Sequence, residues 1–313
     1  MTALEISVAY VADLFFGDPP GYPHPVKLIG RAISFFEKRL LQWAQTPRMQ
    51  RLFGIILAVT IVSGAGIITW AIIRMAAWVH PVLSSIVVIF FAYTTLATRN
   101  LYDEPRKVIR ALEQGDLNLG RKRMGFLVGR DTDHLDEKEI CRALIETVSE
   151  NTSDGIVAPL FYLLIGGPPL AMAYKALNTL DSMVGYRSDR YRYLGWASAR
   201  GDDLANLVPS RLTALLFILS SLILRKNWKG AWRATWRDGQ KNPSPNSGYP
   251  EAAMAGALGV RLGGKNLYFG RVEEKPLIGE PERSIDRKVA KESLRLMIVN
   301  SLIAVIITIL VIT

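Results

Sequence analysis

Residues 52–73, LFGIILAVTIVSGAGIITWAII, carry no charged side chain, and after Arg74 neither do residues 75–98, MAAWVHPVLSSIVVIFFAYTTLAT. A helix needs roughly 20 apolar residues to cross a hydrocarbon core of about 30 Å, and both stretches meet that length. They read as two membrane spans joined in a tight hairpin around Arg74. Residues 155–174 and 296–313 are also uncharged, and 204–224 carries only Arg211. The reading is therefore an all-α, polytopic integral membrane protein with four to five membrane-embedded helical segments. Residues 1–313 form a single membrane-embedded domain, with loops at 99–154 and 225–295. The polar motifs fall between the spans, so the chemistry belongs at one face of the bilayer.

The chain has 313 residues, half of them hydrophobic, and a formal net charge of +10. In a soluble protein that charge would suggest nucleic acid, but no basic run interleaved with aromatics occurs, so no nucleic-acid partner is expected. Lys38, Arg39, Arg48 and Arg51 precede the first strong span, and loop 99–154 is rich in Arg and Lys. Basic residues beside spans are first a topology signal that places those loops in the cytoplasm; an anionic substrate is the second reading. The single cysteine, Cys141, excludes an intramolecular disulfide and a cysteine metal cluster. It reads as packing on an amphipathic helix. Residues 1–16 hold Glu5 and Asp13 and have no basic n-region or small-residue cleavage site, so they read as a helix in or against the membrane rather than a signal peptide.

Four prolines lie within residues 19–25, which forbids regular structure there, and helical periodicity returns over 26–45. Loop 99–154 reads as two amphipathic helices, about 99–114 and 135–150, joined by the polar stretch Gly115–His134. No stretch alternates as a strand should. Segment 155–174 carries Gly166-Gly-Pro-Pro169 at its middle, which breaks a helix. A re-entrant hairpin is favoured over a straight crossing, because backbone breaks at membrane depth are tolerated where they line a cavity.

Four polar constellations stand at the ends of the apolar runs. Glu146 and Glu150 share a helical face, with Asp154 one turn further, and Asn151 lies between them. A solvated helix end is the plain reading, but the chain enters the membrane directly afterwards, where unpaired carboxylates are costly. Lys175, Asn178 and Ser182 share another face, with Asp181 beside them and Arg187 further on. Such oxygen donors suit Mg²⁺, and the cations suit phosphate. In Arg200-Gly-Asp202-Asp203-Leu-Ala-Asn206, both aspartates are spaced to meet the amide of Asn206, and Arg211 follows. Plain pairing of Arg200 or Arg211 with the aspartates is the alternative. Finally, Asn246-Ser247-Gly-Tyr249-Pro250-Glu251 places Ser247 as an N-cap and Pro250 in the first turn of a small-residue helix. Free N–H groups at such a start bind phosphate or carboxylate, although a bare linker would look similar. No Walker A motif or strand-linked GxGxxG is present.

Together DLFFGDPP at 13–20, VGRDT at 128–132, ETVSENTSDGIVAPLF from Glu146, YKALNTLDSMVGYR from Tyr174, SARGDDLANLVPSRLTA from Ser198 and SPNSGYPEAAMAGALGVRLGG from Ser244 resemble one family. It is the membrane-bound adenosylcobinamide-phosphate synthase family of cobalamin biosynthesis, and the likeness covers nearly the whole chain. The resemblance implies ATP- and Mg²⁺-dependent amide formation. The amine is (R)-1-aminopropan-2-ol O-phosphate, or threonine phosphate, and the acid is the free propionate of adenosylcobyric acid. It further implies a multi-pass protein of the inner cell membrane with a cytoplasmic active face, in contact with the lipid bilayer. A homo-oligomer and association with other late cobalamin-pathway membrane enzymes are compatible with it.

By this resemblance the functional positions fall among Glu146, Asn151, Asp154, Lys175, Asn178, Asp181, Arg200, Asp202, Asp203, Asn206, Arg211, Asn246 and Glu251, and the match does not fix their roles. From their chemistry Glu146, Asp154, Asp181, Asp202 and Asp203 are expected to be catalytic, with Asp202 and Asp203 as Mg²⁺ ligands. Lys175, Asn178, Arg187, Arg200, Asn206 and Arg211 are expected to bind substrate or phosphate. So are Asn246, Ser247, Glu251, Asp18 and His24. Two rivals carry different tests. Asn178-x-x-Asp181 and Asp202-Asp203 look like the diphosphate motifs of intramembrane prenyltransferases, which need more spans than this chain supplies. A non-enzymatic membrane regulator of the AmpE type would have little use for four charged motifs.

Overall fold

The computed structural model of the chain describes residues 1–19, 21, 24–186, 190–268 and 270–313. In chain order the helices are α1 (Ala3–Phe16), α2 (Pro25–Trp43), α3 (Pro47–Val79), α4 (Pro81–Thr95), α5 (Thr98–Glu113), α6 (Leu117–Gly125) and α7 (Glu137–Thr152). A π-helical turn, Ser153–Val157, leads into α8 (Ala158–Val184), α9 (Trp196–Ala205), α10 (Leu207–Ile223), α11 (Trp228–Asp238) and α12 (Gly248–Leu258). Strands β1 (Leu262–Tyr268) and β2 (Arg271–Ile278) precede the last helix, α13 (Arg287–Ile312). Four helical stretches are long and apolar enough to cross a membrane: Pro47–Val79, Pro81–Glu113, Glu137–Val184 and Arg287–Ile312, among the described residues. A fifth is available if Trp196–Ala205 and Leu207–Ile223 form one broken span.

The chain divides into two compact units, each assembled from separated segments. Unit 1 comprises Met1–Ala97, Ala158–Asn206 and Ile307–Thr313; unit 2 comprises Thr98–Val157 and Leu207–Ile306.

In unit 1 the helix starts follow local chemistry. The Thr2 hydroxyl accepts from Glu5 N–H while the Glu5 carboxylate accepts from Thr2 N–H, a reciprocal cap on α1. His24 Nδ1 accepts from Val26 N–H and Pro25 opens α2; Thr46 and Pro47 open α3 in the same manner. The expected hairpin around Arg74 is corrected: α3 continues through Arg74 to Val79, and the chain turns at His80-Pro81. There His80 Nδ1 accepts from Val82 N–H at 3.2 Å and Pro81, which has no N–H to leave unpaired, begins α4. Ile33 of α2, Leu57 and Ile61 of α3, and Ala176, Leu180 and Val184 of α8 form one buried cluster. Gly54 lets α3 approach the chain before α9, since a Cβ there would lie 2.1 Å from the Leu194 carbonyl oxygen.

Helix α8 breaks where Gly166-Gly-Pro-Pro predicted, with non-helical torsions at Gly166 and Gly167. The Tyr162 and Tyr174 rings stack with centroids 4.8 Å apart. Twelve residues of unbroken helix would separate their backbones by about 18 Å, so the kink brings the two halves of α8 closer on this side. Gly167 sits at φ 63°, ψ −162°, a region open in practice only to glycine. Gly167→Ala is therefore expected to cost about 1–3 kcal/mol. Thermal unfolding of the purified variant checks this; an unchanged midpoint would show that the kink does not depend on the torsion.

Unit 2 is built around α12, all of whose residues are buried. Its small side chains permit backbone contact: a Cβ on Gly256 would stand 2.3 Å from the Gly230 carbonyl oxygen of α11. Helices α5 and α7 match the two amphipathic helices expected in loop 99–154, but the intervening polar stretch also folds, as α6 capped by Asp116. The expectation of no strands is corrected by a small antiparallel hairpin in which Lys265 faces Glu274 and Leu267 faces Val272. Opposite charges and paired apolar side chains across the strands support it. Gly263, at φ 85°, marks its irregular register, and a Cβ there would lie 2.1 Å from the Pro276 carbonyl oxygen.

Candidate functional site

In unit 1 the α8 and α9 motifs meet. Asp202 accepts from Asn178 Nδ2 at 3.3 Å on one carboxylate oxygen and from Asn206 Nδ2 at 3.0 Å on the other. Asn206 is buried, and its own oxygen accepts from the Tyr174 hydroxyl at 2.9 Å. The stacked Tyr162 donates to the Ala205 carbonyl at 2.9 Å, fixing the end of α9. The second half of α8, past the kink, thus supplies a chain of donors, Tyr174 to Asn206 to Asp202, that aims one carboxylate. The expected contact of Asn206 is seen with Asp202. Asp203 pairs with Arg200 at 3.7 Å, one turn back, where the guanidinium is largely exposed. Lys175 and Asp181 lie half-buried on α8 beside this chain. Arg187 lies outside the described residues. Near the start of the chain, His24 Nε2 lies 3.2 Å from Asp18 Oδ1, and Tyr93 of α4 donates to the Gly17 carbonyl.

No group of three or more His, Cys, Asp or Glu able to hold a metal occurs among the described residues. Mg²⁺ is ordinarily held by one or two carboxylates with waters and substrate phosphates rather than by a protein cage. The oxygen donors of Asp202, Asp203 and Asp181 fit that mode, and no softer ligand intrudes.

Unit 2 holds two further polar clusters. Glu146 is buried and both its oxygens are occupied: Arg130 Nη2 donates to one at 3.0 Å, Arg142 Nη1 to the other at 2.9 Å, and Gly263 N–H to the latter at 2.9 Å. Arg142 also reaches the Gly263 and Lys265 carbonyls and the Asn266 side chain, and Arg130 donates to Asn266. Glu146 thereby anchors the β-hairpin. This clamp escaped the sequence reading, although Arg142 stands four residues before Glu146 and three after its other partner, Glu139. Asp154 lies in the π-helical turn after α7, half-buried; single π turns are frequent at functional sites.

The second cluster surrounds the start of α12. Ser247 does not cap α12: its own torsions are helical and its side chain makes no capping bond. Ser244 does the local work, accepting from the N–H groups of Asn246 and Ser247 at 3.2 and 3.3 Å. Arg211 Nη1 donates to Asn246 Oδ1 at 3.2 Å, and its guanidinium lies 4.1 Å above the Tyr249 ring centroid. Glu251 is buried; Asn242 Nδ2 donates to Oε2 at 3.2 Å, while Oε1 has no partner. Burial, together with Glu150 and Glu146, pushes its carboxyl up to about 8 against the opposing pull of Lys275. Burial acts to lower the Lys275 ammonium, but Glu251, Glu150 and Glu146 hold it above the ordinary lysine value.

That shift fixes a pH dependence. Between the ordinary 4.5 and about 8 the folded protein holds a proton on Glu251 that the unfolded chain lacks, so stability falls as pH rises through this window. Glu251→Gln is expected to flatten the loss between about pH 5 and about pH 8, read by thermal unfolding. An identical slope in the variant would place the titration elsewhere.

An open groove of about 580 Å³ borders the hairpin, lined by Lys138, Arg142, Arg261 and Lys265 among others. Its volume is within the range of small-molecule sites, and Glu139 and Glu282 line it beside these cations. No motif signalled it in the sequence.

The profile of the family described as CobD/Cbib protein matches residues 6–297. The chain is 49% identical to the cobalamin biosynthesis protein CobD of Geobacter metallireducens, over 98% of both chains. It is 45% identical to the protein of that name from Klebsiella pneumoniae and 43% identical to the cobalamin biosynthesis protein CbiB of Salmonella typhimurium. In each of these cases the match covers 97% of this chain and 95% of the relative. No solved structure matches. A match that runs almost from end to end, at nearly half identity, places the chain in the CobD/Cbib protein family.

Proposed function

We propose that the protein joins (R)-1-aminopropan-2-ol O-phosphate, or threonine phosphate, to the free propionate of adenosylcobyric acid at the expense of ATP, giving adenosylcobinamide phosphate. The observation that carries this reading is end-to-end likeness to relatives named for cobalamin biosynthesis, together with an aimed carboxylate, Asp202, in an oxygen-only donor set. A carboxylate is a poor electrophile at neutral pH, and phosphorylation by ATP activates it. Mg²⁺, when bound with the nucleotide, neutralises phosphate charge.

The residues have distinct tasks in this scheme. Asp202 and Asp203 supply the magnesium-facing oxygens, and Asn178 and Asn206 hold Asp202 in place. Lys175 and Arg211 are assigned to phosphate oxygens, and the Arg211 guanidinium is already fixed over Tyr249. Asn246 and the start of α12 are assigned to the phosphorylated amine, as are the cations of the hairpin groove. The ammonium must lose its proton before it attacks. Glu146, whose two oxygens are held by guanidinium groups, and Asp154 are the candidate bases; general-base help contributes roughly 10²–10⁴-fold. The active face is cytoplasmic, where ATP is found, and the membrane is the inner one.

The test is a reconstitution in liposomes with adenosylcobyric acid, the phosphorylated amine and Mg-ATP. The expected result is a corrinoid of the amide's mass, formed only with ATP. Prenyl transfer from a diphosphate, or no turnover with either substrate set, would support a rival function instead.

A further inference from the structure

Helix α2 presents three different faces. Ile33, with Ile29 and Leu40, packs into the buried cluster shared with α3 and α8. Lys27, Arg31, Ser34 and Lys38, spaced by four, three and four residues, share a second face. Between these faces Leu28, Phe35, Phe36 and Trp43 are 53%, 51%, 40% and 69% exposed. The cationic face borders an open groove of about 670 Å³ that also takes in Gly30, Phe35, Arg39 and Met183. Among the described residues, Lys27, Arg31 and Lys38 form no ion pair with any carboxylate. Arg39 is spread over the Phe35 ring at 3.6 Å.

The depth of the helix follows from its partner. Helix α3 has 33 residues, more than the roughly 20 a crossing needs. The uncharged run of α3 begins at residue 52, directly after Arg48 and Arg51, and Ile33 packs against Leu57 and Ile61 within the first turns past that boundary. A helix at that level with a cationic face and an aromatic face is built for the headgroup region. Tryptophan is enriched there, and Lys and Arg stems reach outward to the phosphates.

We propose that the groove along α2 binds the headgroup phosphate of an anionic phospholipid, with Lys27, Arg31 and Lys38 as its ligands and the exposed aromatic face seated among the acyl chains. Cations near an anionic surface and a groove without a carboxylate of its own are complementary to that phosphate. The exposed Phe35, Phe36 and Trp43 favour a lipid over a soluble phosphate, which has no acyl chain to cover them.

The test uses the full chain in phosphatidylcholine nanodiscs, titrated with phosphatidylglycerol and read by native mass spectrometry. The triple variant Lys27→Ala, Arg31→Ala, Lys38→Ala is expected to bind phosphatidylglycerol roughly 10²-fold more weakly, each near-surface cation contributing about fivefold. Phosphatidylcholine retention should not change, and raised salt should weaken the wild type toward the variant. If the triple variant does not fold, Lys38→Ala alone should weaken binding about fivefold. Equal phosphatidylglycerol affinity in folded variant and wild type overturns the proposal. So does displacement of the lipid by millimolar ATP, which would make the groove a soluble-phosphate site.

Discussion

Asp202→Asn is expected to lower turnover on the order of 10²-fold while leaving the protein inserted and folded. The carboxylate is held from two sides by amide donors, Asn178 at 3.3 Å and Asn206 at 3.0 Å, and Asn206 is itself set by Tyr174 at 2.9 Å. An amide at position 202 has the same shape but half the accepting capacity and no charge. One of its two neighbours then faces an N–H instead of an oxygen, and the charge facing magnesium is lost. Tyr174→Phe removes only the outermost link, so its effect should be smaller and in the same direction. Asp203→Asn weakens the pair with Arg200, and a loss of activity in protein that is still inserted and folded is the result expected of the proposed metal ligand. Rates in proteoliposomes, set against the amount of inserted protein, separate these outcomes. Activity within a few-fold of wild type for both aspartate variants would move the metal site to other carboxylates.

Glu146→Ala is expected to destabilise the protein by roughly 3–5 kcal/mol, the usual result of removing one partner from a buried ion pair. Arg130 would remain in a buried site without its carboxylate, Arg142 would keep only Glu139, and Gly263 N–H would lose its acceptor. The loss falls on the attachment of the β-hairpin to α7, because Arg142 and Asn266 bridge the two. Denaturant or thermal unfolding in detergent measures it. The assignment of Glu146 as an anchor also predicts that partial rescue of stability, as by Glu146→Gln, brings back activity in proportion. A stable but inactive Glu146→Ala protein would instead return Glu146 to the catalytic set.

The legible parts of the molecule were those written in local spacing. Absent charge marked the spans, and Gly166-Gly-Pro-Pro169 marked the break in α8 because two prolines and a glycine-only torsion leave no alternative. The four-residue spacing of Asp202 and Asn206 anticipated their hydrogen bond. Arg74 misled because a charge inside a long helix can extend its stem toward polar surroundings without ending the helix. The actual stop was Pro81, which reads as a start signal for α4. The three-residue spacing of Arg200 and Asp203 likewise anticipated their ion pair. Ser247 looked like a cap by type, yet its helical torsions leave that role empty and Ser244 shapes the loop. The hairpin was invisible because its strands carry glycines and Pro276 in place of alternating β-branched residues. With it went Asn266, which joins the Arg130–Arg142–Glu146 clamp across more than a hundred residues of sequence.

The most direct measurement of ATP-driven carboxylate activation follows oxygen atoms. Adenosylcobyric acid carrying ¹⁸O in its free propionate is turned over with the phosphorylated amine and Mg-ATP. If the propionate oxygen attacks the terminal phosphoryl group and the amine then displaces phosphate from the acyl carbon, one ¹⁸O leaves with each phosphate and the other stays in the amide. Inorganic phosphate bearing one ¹⁸O per amide formed is the predicted result. Label found only in the amide and water, with unlabelled phosphate, would contradict it.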